Sequence, residues 1–162
     1  MDKPTHVIEF ETMLLGRYSL SSRRGRLRLE RSAYTLLSRL SGEGPMSIGQ
    51  LSDALGLEAS TLRRQTAAMM RDGLIDRIPD PDGGMARRFR VTSEGEQRLD
   101  SDRADSVRAL DVIMANWSPE DVATFAAYLE RFNTDIEHYH GRPWPRLAPS
   151  ALPDRQGQRS PG

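Results

Sequence analysis

Residues 47–77 read SIGQLSDALGLEASTLRRQTAAMMRDGLIDR, and the fold turns on how this stretch is divided. Ser47 and Gln50 have the spacing of a capping box, in which each side chain satisfies the other's free backbone N–H at a helix start. Leu51, Ala54 and Leu55 give that short helix an apolar face, and Gly56 supplies a left-handed exit. A second helix is expected from about Glu58 to Asp72, ended by Gly73. Leu62, Thr66, Met69 and Leu74 fall on its inner side at helical spacing. Ser60, Thr61, Arg64, Ala68 and Arg71 fall on the outer side, with Arg63 and Gln65 flanking. Two short helices joined this tightly bury little alone, so the unit needs packed neighbours, and its polar outer face needs a use.

The neighbours can be read outward from it. Upstream, Ala33, Leu36, Leu37 and Leu40 repeat at helical spacing until SGEGP stops the run. Further upstream, Val7, Phe10, Leu14 and Tyr18 mark an amphipathic helix over 5–20, with Ile8 and Leu15 beside the stripe. Downstream, apolar residues alternate at Ile75 and Ile78 and again at Phe89 and Val91, around the turn sequence PDPDGG; this predicts a β-hairpin over 74–92. Ser93 and Glu96 have capping-box spacing for a helix carrying Leu99, Val107, Leu110, Met114 and Trp117. Ser118, Pro119, Glu120 and Asp121 open another, whose stripe is Val122, Phe125, Ala126, Leu129, Phe132 and Ile136. The predicted fold is mainly α with a small β-wing: a winged helix-turn-helix over 31–92, flanked by helices at 5–20 and 93–140 in one domain of 5–140. The last stretch, 141–162, holds five of the ten prolines and is expected to be a disordered tail.

The chain has 162 residues, 23 basic and 23 acidic, for a net charge of zero. The balance is uneven. Residues 17–31 carry six arginines against Glu30, a net of +5, and 93–140 carry four arginines against eleven acids, a net of −7. A basic half beside an acidic half often directs the basic half at a polyanion, and a charge run alone reads as well as a solvated surface. There is no Cys, which excludes disulfides and thiolate chemistry. No long apolar run or leader is present, so a cytoplasmic protein is expected. Enzyme motifs are lacking: no nucleophile elbow, no phosphate loop and no His-Glu-x-x-His. Asp135, Glu137, His138 and His140 cluster in sequence, but positions 138 and 140 point about 200° apart on a helix and suit one metal poorly, so no metal and no cofactor is expected.

A tight helix pair followed by a hairpin suits a DNA groove. The second helix enters the major groove, the first crosses above it, and residues near the helix start reach base edges. Ser60, Thr61, Arg63, Arg64 and Gln65 are the candidate groove contacts. Arg87, Arg88 and Arg90 are the wing contacts, and Arg24, Arg26 and Arg28 are further phosphate contacts. The other reading is a winged-helix protein that mediates assembly without specific DNA binding. The arginines of 60–71 argue against it, because an assembly face is more apolar.

The string MSIGQLSDALGLEASTLRRQTAAMMRDGLIDRIPDPDGGMARRFRVTSEGEQRL, 46–99, resembles the MarR family of bacterial transcription regulators. The resemblance lies in the Leu- and Ala-rich helix, its glycine exit, a recognition helix closing on Gly-Leu-Ile, a charged wing, and Val91, Thr92 and Gly95 before the next helix. Three positions depart from the pattern. Gly83, Gly84 and Met85 stand where the family has Asp and Arg at the wing tip, Glu58 stands at a small capping position, and Gln65 and Thr66 stand at apolar ones. The resemblance implies a transcription regulator, a repressor on an inverted-repeat operator, and a homodimer built from the first and last helices. Val7, Ile8, Phe10 and Leu14, with Phe125, Leu129, Phe132 and Ile136, are the implied dimer interface, and they offer more apolar surface than a small winged helix needs to cover. It also implies a small aromatic ligand that releases DNA, with Met13, Tyr18, Tyr34 and Trp117 as candidate lining; Met and aromatic residues at helical spacing are more often plain core.

Overall fold

The computed structural model describes residues 3–18 and 29–146. Its elements run α1 (Thr5–Arg17), α2 (Arg31–Glu43), α3 (Ile48–Leu55), α4 (Ala59–Arg71), β1 (Ile75–Ile78), β2 (Arg88–Val91), α5 (Ser93–Ile113) and α6 (Pro119–His140). The body is α2, α3, α4, the hairpin and the first turns of α5. Leu36, Leu37, Leu51, Leu62, Ile75 and Leu99 are all but completely buried there, together with Met69, Leu74 and Phe89. Each such side chain contributes about 1.5–3 kcal/mol by leaving water.

The local rules that start and stop α3 and that end α4 are satisfied atom by atom. The Ser47 N–H donates to Gln50 Oε1 at 2.9 Å, and the Gln50 N–H donates to Ser47 Oγ at 3.2 Å. Gly56 leaves α3 at φ +65, a conformation that favours glycine. At the end of α4 the Leu74 N–H donates to the Met69 carbonyl and the Gly73 N–H to that of Met70, a Schellman closure. It turns the chain directly into β1.

β1 and β2 pair antiparallel, with Ile75 opposite Val91, Arg77 opposite Phe89 and Ile78 opposite Arg88. Met46 adds a bridge to the other side of β2: its N–H and carbonyl both bond to Phe89, at 3.1 and 2.8 Å. The wing is therefore fastened to the residue just before the cap of α3.

Two expectations change. The cap of α5 is Thr92, one residue before the predicted Ser93–Glu96 box. Thr92 Oγ1 donates to the Gly73 carbonyl at 2.6 Å and accepts from the Gly95 N–H at 3.0 Å. Because Thr92 joins α5 to the end of α4, it outcompetes Ser93, and Glu96 accepts instead from Ser41 Oγ. Gly95 is required by the same junction, since a Cβ there would lie 2.2 Å from the Leu74 carbonyl oxygen. Ordered chain also continues past the expected boundary at 140. Residues 141–146 fold back from α6 onto α2, through contacts set out below.

Candidate nucleic-acid interface

The side chains of α4 are sorted by its packing. Leu62, Thr66 and Met69 are buried, which turns Ser60, Arg63, Arg64 and Arg71 fully outward and leaves Thr61 and Gln65 half-buried at the margin. Thr66 explains itself: its hydroxyl donates to the Leu62 carbonyl at 2.8 Å, so a polar residue sits in the core with its hydrogen bond made. Glu58 is the cap residue of α4, yet its side chain makes no cap hydrogen bond. Among the described residues, no carboxylate pairs with Arg63, Arg64 or Arg71. Their charge is available to an outside partner.

In the wing, the three predicted arginines have three different settings. Arg87 is exposed. Arg90 is exposed and pairs with Asp76 across the strands at 3.6 Å, a contact that competes weakly with another anion. Arg88 is turned inward: its guanidinium donates to Asp82 Oδ2 at 3.1 Å and forms an ion pair with Asp80 Oδ1 at 3.0 Å, with the side chain 18% exposed. It closes the tip, where Asp80 also accepts from the Asp82 N–H, and Gly83 turns at φ +81. The expectation of an outward Arg88 is therefore corrected, because the two aspartates of PDPDGG engage it. Arg77 lies over the Phe89 ring at 5.8 Å.

A match to the MarR family model covers residues 29–83, the span from the end of the basic stretch to the wing tip. Over 133 residues the chain is 34% identical to an uncharacterized HTH-type transcriptional regulator, YxaD, of Bacillus subtilis (strain 168), covering 80% of this chain and 93% of that protein. The chain belongs to the MarR family. That family consists of transcription regulators rather than enzymes. Solved structures share the fold. A MarR family protein from Bacillus stearothermophilus superposes with a TM-score of 0.66 at 23% identity, over 84% of this chain and 99% of that one. The organohalide-sensing regulator RdhR-CbdbA1625, in its 2,4-dichlorophenol-bound form, gives 0.67 at 17% identity, over 91% and 92%.

The winged helix of this MarR-family chain is flanked by helices that bury nothing. Neither α1 nor α6 contains a buried residue. Val7, Ile8, Phe10, Phe125, Leu129, Phe132 and Ile136 are exposed, and Leu14 is half-buried. The candidate ligand residues do not converge within one chain. Met13 and Tyr18 are exposed on and just after α1, Tyr34 packs against the core, and Trp117 meets Phe125 edge to face at 5.6 Å. A different groove, of about 720 Å³, lies between α2, the end of α3 and the end of α6; Thr35, Leu55, Leu57, Ile136, Arg142 and Trp144 are among its lining.

Arg24, Arg26 and Arg28 lie outside the described residues. No helix of those described is long and apolar enough to cross a membrane. Sequence reasoning missed Arg39 and Trp144, and weighed Glu137 only as part of a metal cluster. The Arg39–Glu43 spacing of four residues was a legible helical pair; the link from Arg39 to Trp144, more than a hundred residues on, left no sequence signal.

Proposed function

We propose that this MarR-family chain is a sequence-specific double-stranded DNA-binding regulator, acting in the cytoplasm as a homodimeric repressor on an inverted repeat. The observation that carries the reading is the outer face of α4, where Arg63, Arg64 and Arg71 stand exposed with no carboxylate partner among the described residues, on a helix whose inner face is locked in the core. Arg64 and Gln65, with Ser60, Thr61 and Arg63, read base edges and the adjoining phosphates, and Arg87 and Arg90 reach the flanking backbone. Arg88 serves by holding the wing in shape.

The exposed apolar rows of α1 and α6 support a two-fold partner. Such a dimer sets two recognition helices about 34 Å apart, one helical turn of DNA. A small aromatic ligand relieves repression in this reading, supported by the 2,4-dichlorophenol bound to RdhR-CbdbA1625. Met13, Tyr18 and Trp117 would line its pocket only once the dimer brings the flanking helices together.

The test is an anisotropy titration of the purified chain with duplex from upstream of its own gene and with scrambled duplex, at two salt concentrations. The reading expects tighter binding to the native duplex and a steep salt slope. Equal weak binding to both duplexes removes the specificity claim at that locus, and no binding at low salt favours the assembly role.

A further inference from the structure

The segment that follows α6 is built as a clasp. Gly141 ends α6 in the left-handed conformation, and the Arg142 N–H returns to the Glu137 carbonyl at 3.0 Å. The Glu137 carboxylate then gathers the segment: Oε2 accepts from the Trp144 N–H at 2.9 Å, and Oε1 accepts from the Arg146 guanidinium at 2.5 Å. From the other side comes Arg39 of α2, a buried cation. Its guanidinium donates to the Pro143 carbonyl at 3.1 Å and to Glu43 at 2.7 Å, and it lies over the Trp144 ring at 5.0 Å. Arg142 reaches a third element. A Cβ placed on Gly56 would lie 2.7 Å from Arg142 Cζ, so that guanidinium covers the α3–α4 turn.

Three elements are therefore joined at one place: α6, α2 and the turn that aims α4. We propose that residues 141–146 are a positioning strap, with Arg142 and Trp144 as its positioning residues, that fixes the α3–α4 unit against the end of α6. Neither residue reaches DNA in this role. The consequence for DNA rests on the dimeric DNA-binding reading above: with α6 in the dimer interface, a fixed strap fixes the distance between the two recognition helices. The chain then discriminates the spacing of half-sites as well as their sequence. Without the strap each winged helix settles on its half-site independently, and affinity and spacing selectivity fall together.

The test has two arms, both on the full chain. In the first, hydrogen exchange of the free protein is followed at the α3–α4 turn for Arg142→Ala, Trp144→Ala and Trp144→Phe, with circular dichroism and sedimentation confirming an unchanged fold and assembly. The expected result is exchange faster by about tenfold in Trp144→Ala, the ratio loss of the Arg39–Trp144 cation–π contact can carry, with recovery in Trp144→Phe, and faster exchange also in Arg142→Ala, which uncovers the turn. Unchanged exchange at the turn overturns the strap, whether or not the chain binds DNA. In the second arm, duplexes with the half-sites at their native spacing and displaced by one base pair are titrated. The wild type should prefer the native spacing, and Trp144→Ala should lose about five- to tenfold in affinity for it and approach equal binding to both. A variant that keeps the wild-type preference overturns the positioning role. A wild type that binds no duplex refutes the DNA reading alone, and the exchange arm then decides the strap.

Discussion

Leu62 on α4 and Phe132 on α6 are both large apolar residues on amphipathic helices, yet Leu62 is fully buried and Phe132 is 42% exposed. The contrast extends to the regions around them. The winged-helix body closes its apolar surface within one chain, joined by the Ser47–Gln50 box, the Met46–Phe89 bridge and the Thr92–Gly95 junction. The flanking helices expose theirs in rows. In proteins an amphipathic helix draws most of its stability from packing on its apolar face. α4 has that packing from its own chain; α1 and α6 do not, and in the reading proposed above a second copy supplies it. In the proposed reading, one sequence thus specifies a reading head that is complete and a mount that is completed by assembly.

The largest expected effect sharpens the first half of that contrast. Leu62→Ala should destabilise the fold by about 2–5 kcal/mol in urea unfolding, with no change in the assembly of the chain that remains folded. Phe132→Glu should do the opposite. It leaves the far-ultraviolet spectrum of the body intact and weakens self-association by about 2–4 kcal/mol, read as a halved mass in sedimentation equilibrium. If it left the mass unchanged, α6 would not be the mount. Smaller again are the contacts with DNA. Arg64→Ala should cost about 1–3 kcal/mol on the preferred duplex and relax sequence preference, whereas Arg87→Ala should weaken all duplexes alike and lower the salt slope by about one.

The smallest effect concerns acid. The Arg146 guanidinium, then the Trp144 N–H, hold the Glu137 carboxyl below the usual glutamate range, against an opposing pull from desolvation. A depressed carboxylate stabilises above its unfolded value and loses that stabilisation as pH falls through the folded one. With Trp117→Phe as background, Trp144 fluorescence should therefore stay flat from neutrality into the ordinary carboxylate range and change only below it. Glu137→Gln should abolish that transition.

Much of this was legible before any coordinates. Caps, exits and turns are local rules, and Ser47, Gln50, Gly56, Gly73 and Ser118 behave as their spacing predicts. The winged-helix order and the inward and outward faces of α4 follow from periodicity alone. Three features were hidden, each for a reason of distance or competition. Two capping residues stood side by side at 92 and 93, and only the reach of Thr92 to Gly73 decides between them. Arg88 reads as a free cation until the turn folds Asp80 and Asp82 beneath it. The proline-rich sequence from 141 has a disordered composition, but its first six residues meet a buried arginine that composition does not register.

The central claim is that two α4 helices, carried by a dimer, read an inverted repeat. Selection of binding duplexes from a random pool, with the purified full-length chain at near-physiological salt, tests it most directly. The account predicts enrichment of an inverted repeat whose half-sites are centred about 10 base pairs apart, with strict bases where Arg64 reaches the groove. A pool that shows no enriched motif, or a single unpaired half-site bound by one chain, would contradict it.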